Sequence, residues 1–155
     1  MPVVILDGST VRDFVEDKAA FEAAMEVRFK ETDLNDDGML SRSELRTAFE
    51  KMRLLESHLG MPEHKTPEEL TALYNSVFEQ FDTDHDGRVD FSEFCSQMRD
   101  ILLAIATGLG TSPIQVVIDD DGILQDAVNH EEKNWKENDR FFFLLFSFAF
   151  LCVFL

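Results

Sequence analysis

Cysteine is nearly absent: Cys95 and Cys152 are the two thiols in 155 residues, the first mid-chain and the second in a terminal apolar stretch. Thiols so placed give no disulfide framework, and the chain reads as a protein of a reducing, cytosolic setting. Basic residues are scarce as well. Fourteen Lys and Arg stand against thirty-one Asp and Glu, a formal charge of −17. That balance repels phosphate backbones and anionic lipid, which excludes nucleic acid and acidic membrane surfaces as electrostatic partners. The histidines, His58, His64, His85 and His130, are scattered, and no zinc spacing, glycine-rich phosphate loop or nucleophile elbow accompanies them. Without a catalytic constellation the expectation is a protein that is not an enzyme. A secretory leader is not expected either, because the apolar run Met1 to Leu6 is short and Asp7-Gly8 ends it.

The acidic residues, by contrast, are concentrated in two twelve-residue stretches, Asp33 to Glu44 and Asp82 to Glu93. Each carries an oxygen-bearing side chain at positions 1, 3, 5, 9 and 12 and glycine at position 6. A hard dication of calcium's size needs this arrangement. In the first loop the candidate ligands are Asp33, Asn35, Asp37, the carbonyl of Met39, Ser41 and Glu44. In the second they are Asp82, Asp84, Asp86, the carbonyl of Arg88, Asp90 and Glu93. Gly38 and Gly87 permit the sharp bend. Position 9, Ser41 or Asp90, often acts through water, and a bidentate glutamate at position 12 selects calcium over magnesium. His85, at position 4, points outward and is expected to be solvated. Five carboxylates at ligand positions in the second loop against three in the first predict tighter binding there. Solvated acidic turns are the bland alternative, and two complete matches argue against them.

The flanks have helical periodicity. Leu45, Ala48, Phe49 and Met52 follow the first loop; Tyr74, Val77, Phe78 and Phe81 precede the second; Phe94, Met98 and Ile101 follow it, with Gln97 as a departure. Phe21, Met25 and Phe29 make a weaker stripe before the first loop, with Arg28 and Thr32 where apolar residues are expected. Leu40 and Val89, both at position 8, are placed to meet across a short antiparallel bridge. These loops and stripes resemble the EF-hand calcium-binding proteins of the calmodulin-like superfamily, over roughly residues 18 to 106. The resemblance implies an all-α fold, two helix-loop-helix units paired by that bridge, with N- and C-terminal extensions. It implies two bound calcium ions, with magnesium at rest. It also implies either a sensor whose opened groove, with Met25, Met52 and Met98, takes an amphipathic helix of a partner, or a buffer or calcium-stabilised module that barely opens. Gly38 and Gly87 lie farther apart than in compact calmodulin-like lobes.

The expected organisation is an extension over 1–17, paired hands over 18–107 (about 18–59 and 66–107), an acidic extension over 108–140 and an apolar tail over 141–155. Val3–Leu6 reads as a short strand before a turn, with Ser9 or Thr10 capping a helix through Phe14 and Val15, and a longer helix begins near Lys18. The helix after the first loop is expected to reach Leu59 with Gly60 as its cap, and the last one to end near Gly108. Thr66-Pro67-Glu68-Glu69 reads as a helix start. Pro113–Ile118 is a second extended candidate, and its apolar residues and those of Val3–Leu6 pack either on the hands or on each other. Asp119-Asp120-Asp121-Gly122 fails as a third loop, because Val117 and Val128 would stand at positions 1 and 12. The flanks Leu6 to Thr10 and Gly108-Leu109-Gly110 are similar to those of small plant proteins with two EF-hands. The tail from Phe141 to Leu155 has no charge and holds seven of the fifteen phenylalanines. As a helix it spans about 22 Å against a ~30 Å hydrocarbon core. Three readings stand for it: a short tail anchor that keeps the hands facing the cytosol, a non-native end from an alternative transcript, or a plug for the domain's own groove.

Overall fold

Helices begin where a side chain can satisfy free N–H groups. The computed structural model describes residues 3–52, 66–117 and 122–136. Asp7 caps α1 (Gly8–Glu16), accepting from the Ser9 and Thr10 N–H groups, while its own N–H donates to the Thr10 hydroxyl. The cap therefore precedes the expected Ser9 or Thr10, whose hydroxyls already lie within the first turn. α2 (Lys18–Thr32) starts where its pattern predicts, and Thr32 returns its hydroxyl to the Arg28 carbonyl at 2.8 Å. α3 covers Arg42–Met52; its expected continuation to Leu59, the Gly60 cap and the linker to Lys65 lie outside the described residues. α4 (Pro67–Phe81) opens with the Thr66–Glu69 capping box and proline in the first turn. α5 (Phe91–Leu109) stops before Gly110, whose φ of +69° is the left-handed turn that ends many helices. A further helix, α6, occupies residues 123–136, a stretch the sequence reading left without an element.

Among the described residues the architecture is all-α apart from one two-stranded sheet. β1 (Val3–Leu6) pairs antiparallel with β2 (Ile114–Val117), Val3 opposite Val117 and Leu6 opposite Ile114. Of the two packings open to these segments, the structure has them pair with each other. The chain divides into two compact units, Met1–Ala20 with Leu103–Leu155, and Phe21–Leu102. The first brings β1 and α1 together with β2 and α6. Its described core holds Leu6, Val11, Phe14 and Val15 with Ile123, Leu124, Ala127 and Val128. The Thr10 hydroxyl donates to Glu131 at 2.9 Å, and His130 meets Asp17 at 2.9 Å while its ring sits edge-on to Phe14. Gly8 donates its N–H to the Gly110 carbonyl at 2.8 Å, an approach that leaves no room for a Cβ.

The second unit holds the two loops, and each stripe faces its interior. Phe21, Met25 and Phe29 from α2, Leu45, Ala48 and Phe49 from α3, Tyr74, Phe78 and Phe81 from α4, and Phe94, Met98 and Leu102 from α5 are buried. Val77 and Ile101 are half-buried, and the Met52 side chain lies outside the described residues. Phe29 contacts Phe91 and Phe94 edge-on at centroid distances of 5.4 and 5.6 Å, and Phe81 joins Phe49 at 5.5 Å. Each such side chain contributes about 1.5–3 kcal/mol by leaving water. Arg42 lies 4.2 Å over the Phe78 ring and bonds Glu79 at 2.6 Å, tying the start of α3 to α4. Among the described residues, no helix is long and apolar enough to cross a membrane. The 141–155 tail, and with it the membrane reading, lies outside them, as do Asp119, Asp120 and Asp121.

Candidate metal centre

Both loops fold by one rule: the first aspartate gathers the N–H groups of the bend. Asp33 accepts from Asp37 N–H at 3.1 Å and Gly38 N–H at 2.8 Å; Asp82 accepts from Asp86 and Gly87, each at 3.0 Å. The residues at positions 3 and 5 take the next N–H groups in turn. Asn35 Oδ1 accepts from Asp37 and Asp37 Oδ1 from Met39, as Asp84 does from Asp86 and Asp86 from Arg88. These backbone donors hold the alternate side chains of each loop in place. Gly38 and Gly87, at φ of +79° and +86°, supply the bend. Asp36 and His85 also have positive φ, 55° and 60°, in the left-handed region that Asp and His enter more readily than most residues. The sequence reading missed this requirement at position 4; the residue types there were the available signal.

Position 12 closes each loop. Glu44 accepts from Leu34 N–H at 3.0 Å, Ser41 N–H at 2.9 Å and the Ser41 hydroxyl at 2.6 Å. Glu93 accepts from Thr83 N–H at 2.9 Å and Asp90 N–H at 3.0 Å. Burial is the largest single influence on both carboxyls and pushes them upward. The hydrogen bonds together outweigh it and hold both below the ordinary glutamate range. Charged carboxylates are thus favoured at the end of each loop. The loops meet at a single bridge, Leu40 opposite Val89, through N–H to carbonyl bonds of 2.8 and 2.9 Å, with both side chains fully buried.

In the second loop Asp82, Asp84 and Asp86 bring carboxylate oxygens within 4.8 Å of one another, with Asp82 buried and the others exposed. An all-oxygen, anionic group of this kind fits a hard dication rather than a soft one. The first loop has the same fold with an amide, Asn35, in the middle place. Beside the backbone bridge, a side-chain contact joins the two: Arg88 Nη1 donates to Asp37 Oδ2 at 2.8 Å. His85, at the bend of the second loop, is exposed.

Two helix-loop-helix units, joined by a one-residue bridge and each curling acidic side chains around a glycine bend, define a paired cation-loop protein. The chain belongs to the EF-hand family: the model of the EF-hand domain pair matches residues 21–99, just over half of the chain. It is similar to the calcium-binding protein CAST of Solanum tuberosum, 36% identical over 87 residues, 56% of this chain and 38% of that protein. It is also similar to the calcium-binding protein CML42 of Arabidopsis thaliana, 34% identical over 96 residues, 62% of this chain and 44% of that protein. The probable calcium-binding protein CML43 of the same plant is 34% identical over 82 residues. The chain thus matches less than half the length of each of these relatives.

Proposed function

We propose that the chain binds two calcium ions, one per loop, and acts as a calcium sensor. The ligands are Asp33, Asn35, Asp37, Ser41, Glu44 and the Met39 carbonyl in the first loop. They are Asp82, Asp84, Asp86, Asp90, Glu93 and the Arg88 carbonyl in the second. The observation that carries this reading is the convergence of the Asp82, Asp84 and Asp86 oxygens within 4.8 Å, in a loop whose last residue, the half-buried Glu93, is held in its charged form by hydrogen bonds. Bound calcium supplies positive charge that relieves the mutual repulsion of these carboxylates. The side chains themselves do the positioning: position 12 is tethered to the start of its own loop, so any shift of the glutamate moves the outgoing helix. A ligand shifts a conformational equilibrium only by its differential affinity for the two states. The two glutamates are the groups through which the loops would favour an open arrangement, exposing an apolar groove to a partner's amphipathic helix.

Calcium titration calorimetry on the chain, beside a Glu44→Gln, Glu93→Gln double variant, tests the binding. Two sites in the parent and none in the variant support it; a parent without binding overturns it. A second reading, a buffer or calcium-stabilised module, draws on the complete burial of Met25 and Met98 in this arrangement. A hydrophobic fluorescent probe separates the two, since the sensor gains probe binding with calcium and the buffer does not.

A further inference from the structure

The contact between the loops is one-sided. Arg88, at position 7 of the second loop, donates through Nη1 to Asp37 Oδ2 of the first at 2.8 Å. Asp37 Oδ2 also accepts from the Asn35 amide at 3.3 Å, and Asp37 Oδ1 from Met39 N–H at 3.0 Å, so Arg88 supplies the one full charge among the described partners of this carboxylate. The reciprocal arm does not exist: position 7 of the first loop is Met39, which carries no charge to offer Asp86. The second loop therefore keeps its aspartate cluster without a counter-ion from its neighbour, while the first has one oxygen already engaged by a fixed cation.

We propose that Arg88 is a resident competitor for the first loop, setting that loop's affinity below the second's and so fixing the order of filling. This rests on the calcium-binding reading and deepens it. A cation arriving at the first loop must displace the guanidinium from Asp37 and tolerate its charge nearby. Among the described residues, one arriving at the second meets no such rival, and the Arg88 carbonyl, not its side chain, belongs to that loop's ligand set. The size is bounded by exposure: the Arg88 and Asp37 side chains are 55% and 34% exposed, so the pair is screened. Removing it tightens the first loop two- to fivefold, about 0.4–1 kcal/mol at 1.4 kcal/mol per factor of ten.

The test measures calcium affinity by calorimetry in a Glu93→Gln background, which leaves the first loop to report alone. Arg88→Ala is compared with Arg99→Ala, an exposed arginine of α5 whose loss changes net charge equally. A two- to fivefold gain for Arg88→Ala, absent or much smaller for Arg99→Ala and shrinking as salt rises from 20 to 500 mM on the order of the screening change, supports the inference. Equal gains in the two variants, or none in Arg88→Ala, overturn it while leaving calcium binding intact. A background protein that binds no calcium, beside a parent that binds none, overturns both. A calcium-free readout stands beside it: a double-mutant cycle of Arg88→Ala with Asp37→Asn in urea unfolding. Favourable coupling supports the pair, and zero coupling overturns it.

Discussion

Gly8 is where the packing of α1 on the end of α5 is most exposed to a single atom. A Cβ placed there would stand 2.2 Å from the Ala106 carbonyl oxygen, 2.7 Å from the Gly110 carbonyl oxygen and 3.1 Å from the Ala106 carbonyl carbon. These are backbone atoms, so no side chain can rotate aside; the start of α1 must retreat by about 1 Å or more to restore ordinary contact. The retreat breaks the 2.8 Å Gly8–Gly110 hydrogen bond, a loss of about 1 kcal/mol. Overpacking adds about 1–3 kcal/mol, and the better helix propensity of alanine returns at most about 1 kcal/mol. Gly8→Ala should therefore weaken this unit by about 2 kcal/mol and speed exchange of the β1 and β2 amides roughly thirtyfold. Native-state hydrogen exchange in calcium-free buffer reads this directly. Gly108→Ala is the control: nothing lies within 4 Å of its Cβ, and it should be neutral or stabilising. Exchange within threefold of the parent for Gly8→Ala would refute the close packing argued here.

Two further outcomes are expected. Asp7 has its carboxyl lowered by the Ser9 hydroxyl first and the Thr10 N–H next; a depressed carboxyl stabilises above its unfolded value and stops doing so as pH falls through its folded one. Asp7→Ala should cost about 1 kcal/mol at pH 7 by urea unfolding, Asp7→Asn far less, and the gap between parent and Asp7→Ala should close below pH 3.8. Burial, reinforced by the Glu22 carboxylate, pushes the Cys95 thiol up to about 11. In a Cys152→Ser background its alkylation by iodoacetamide at pH 8 should run roughly a hundredfold slower than a free thiol's, and a rate within threefold of the free thiol would refute this environment.

What was legible in the sequence is what depends on near neighbours. The bends at Gly38 and Gly87, the helix start at Thr66-Pro67, and the helical stripes each follow from spacings of a few residues. The Leu40–Val89 bridge was legible because both residues occupy the same place in equivalent loops. The partner of Val3–Leu6 was not, since two apolar stretches far apart fit either each other or the hands, and periodicity carries no distance. The Asp7 cap was passed over for hydroxyl residues already inside the helix. The stretch over 123–136 did carry a signal: Ile123, Leu124, Ala127 and Val128 recur at helical spacing behind an acidic run that drew the reading to itself. The Arg88–Asp37 contact could not be read, because it exists only once two loops have been brought side by side.

The pairing of β1 and α1 with β2 and α6 has a consequence in time. Thr10 finds its partner in Glu131, 121 residues further on. At a synthesis rate of about 5–20 residues per second, that stretch takes roughly 6–24 s to emerge. Over that interval β1 and α1 have been made but neither β2 nor α6 exists to receive them, whereas the two loops complete their own pairing within a shorter span of chain. Long-range closure comes after local contact. β1 and α1 thus wait for partners made long after them.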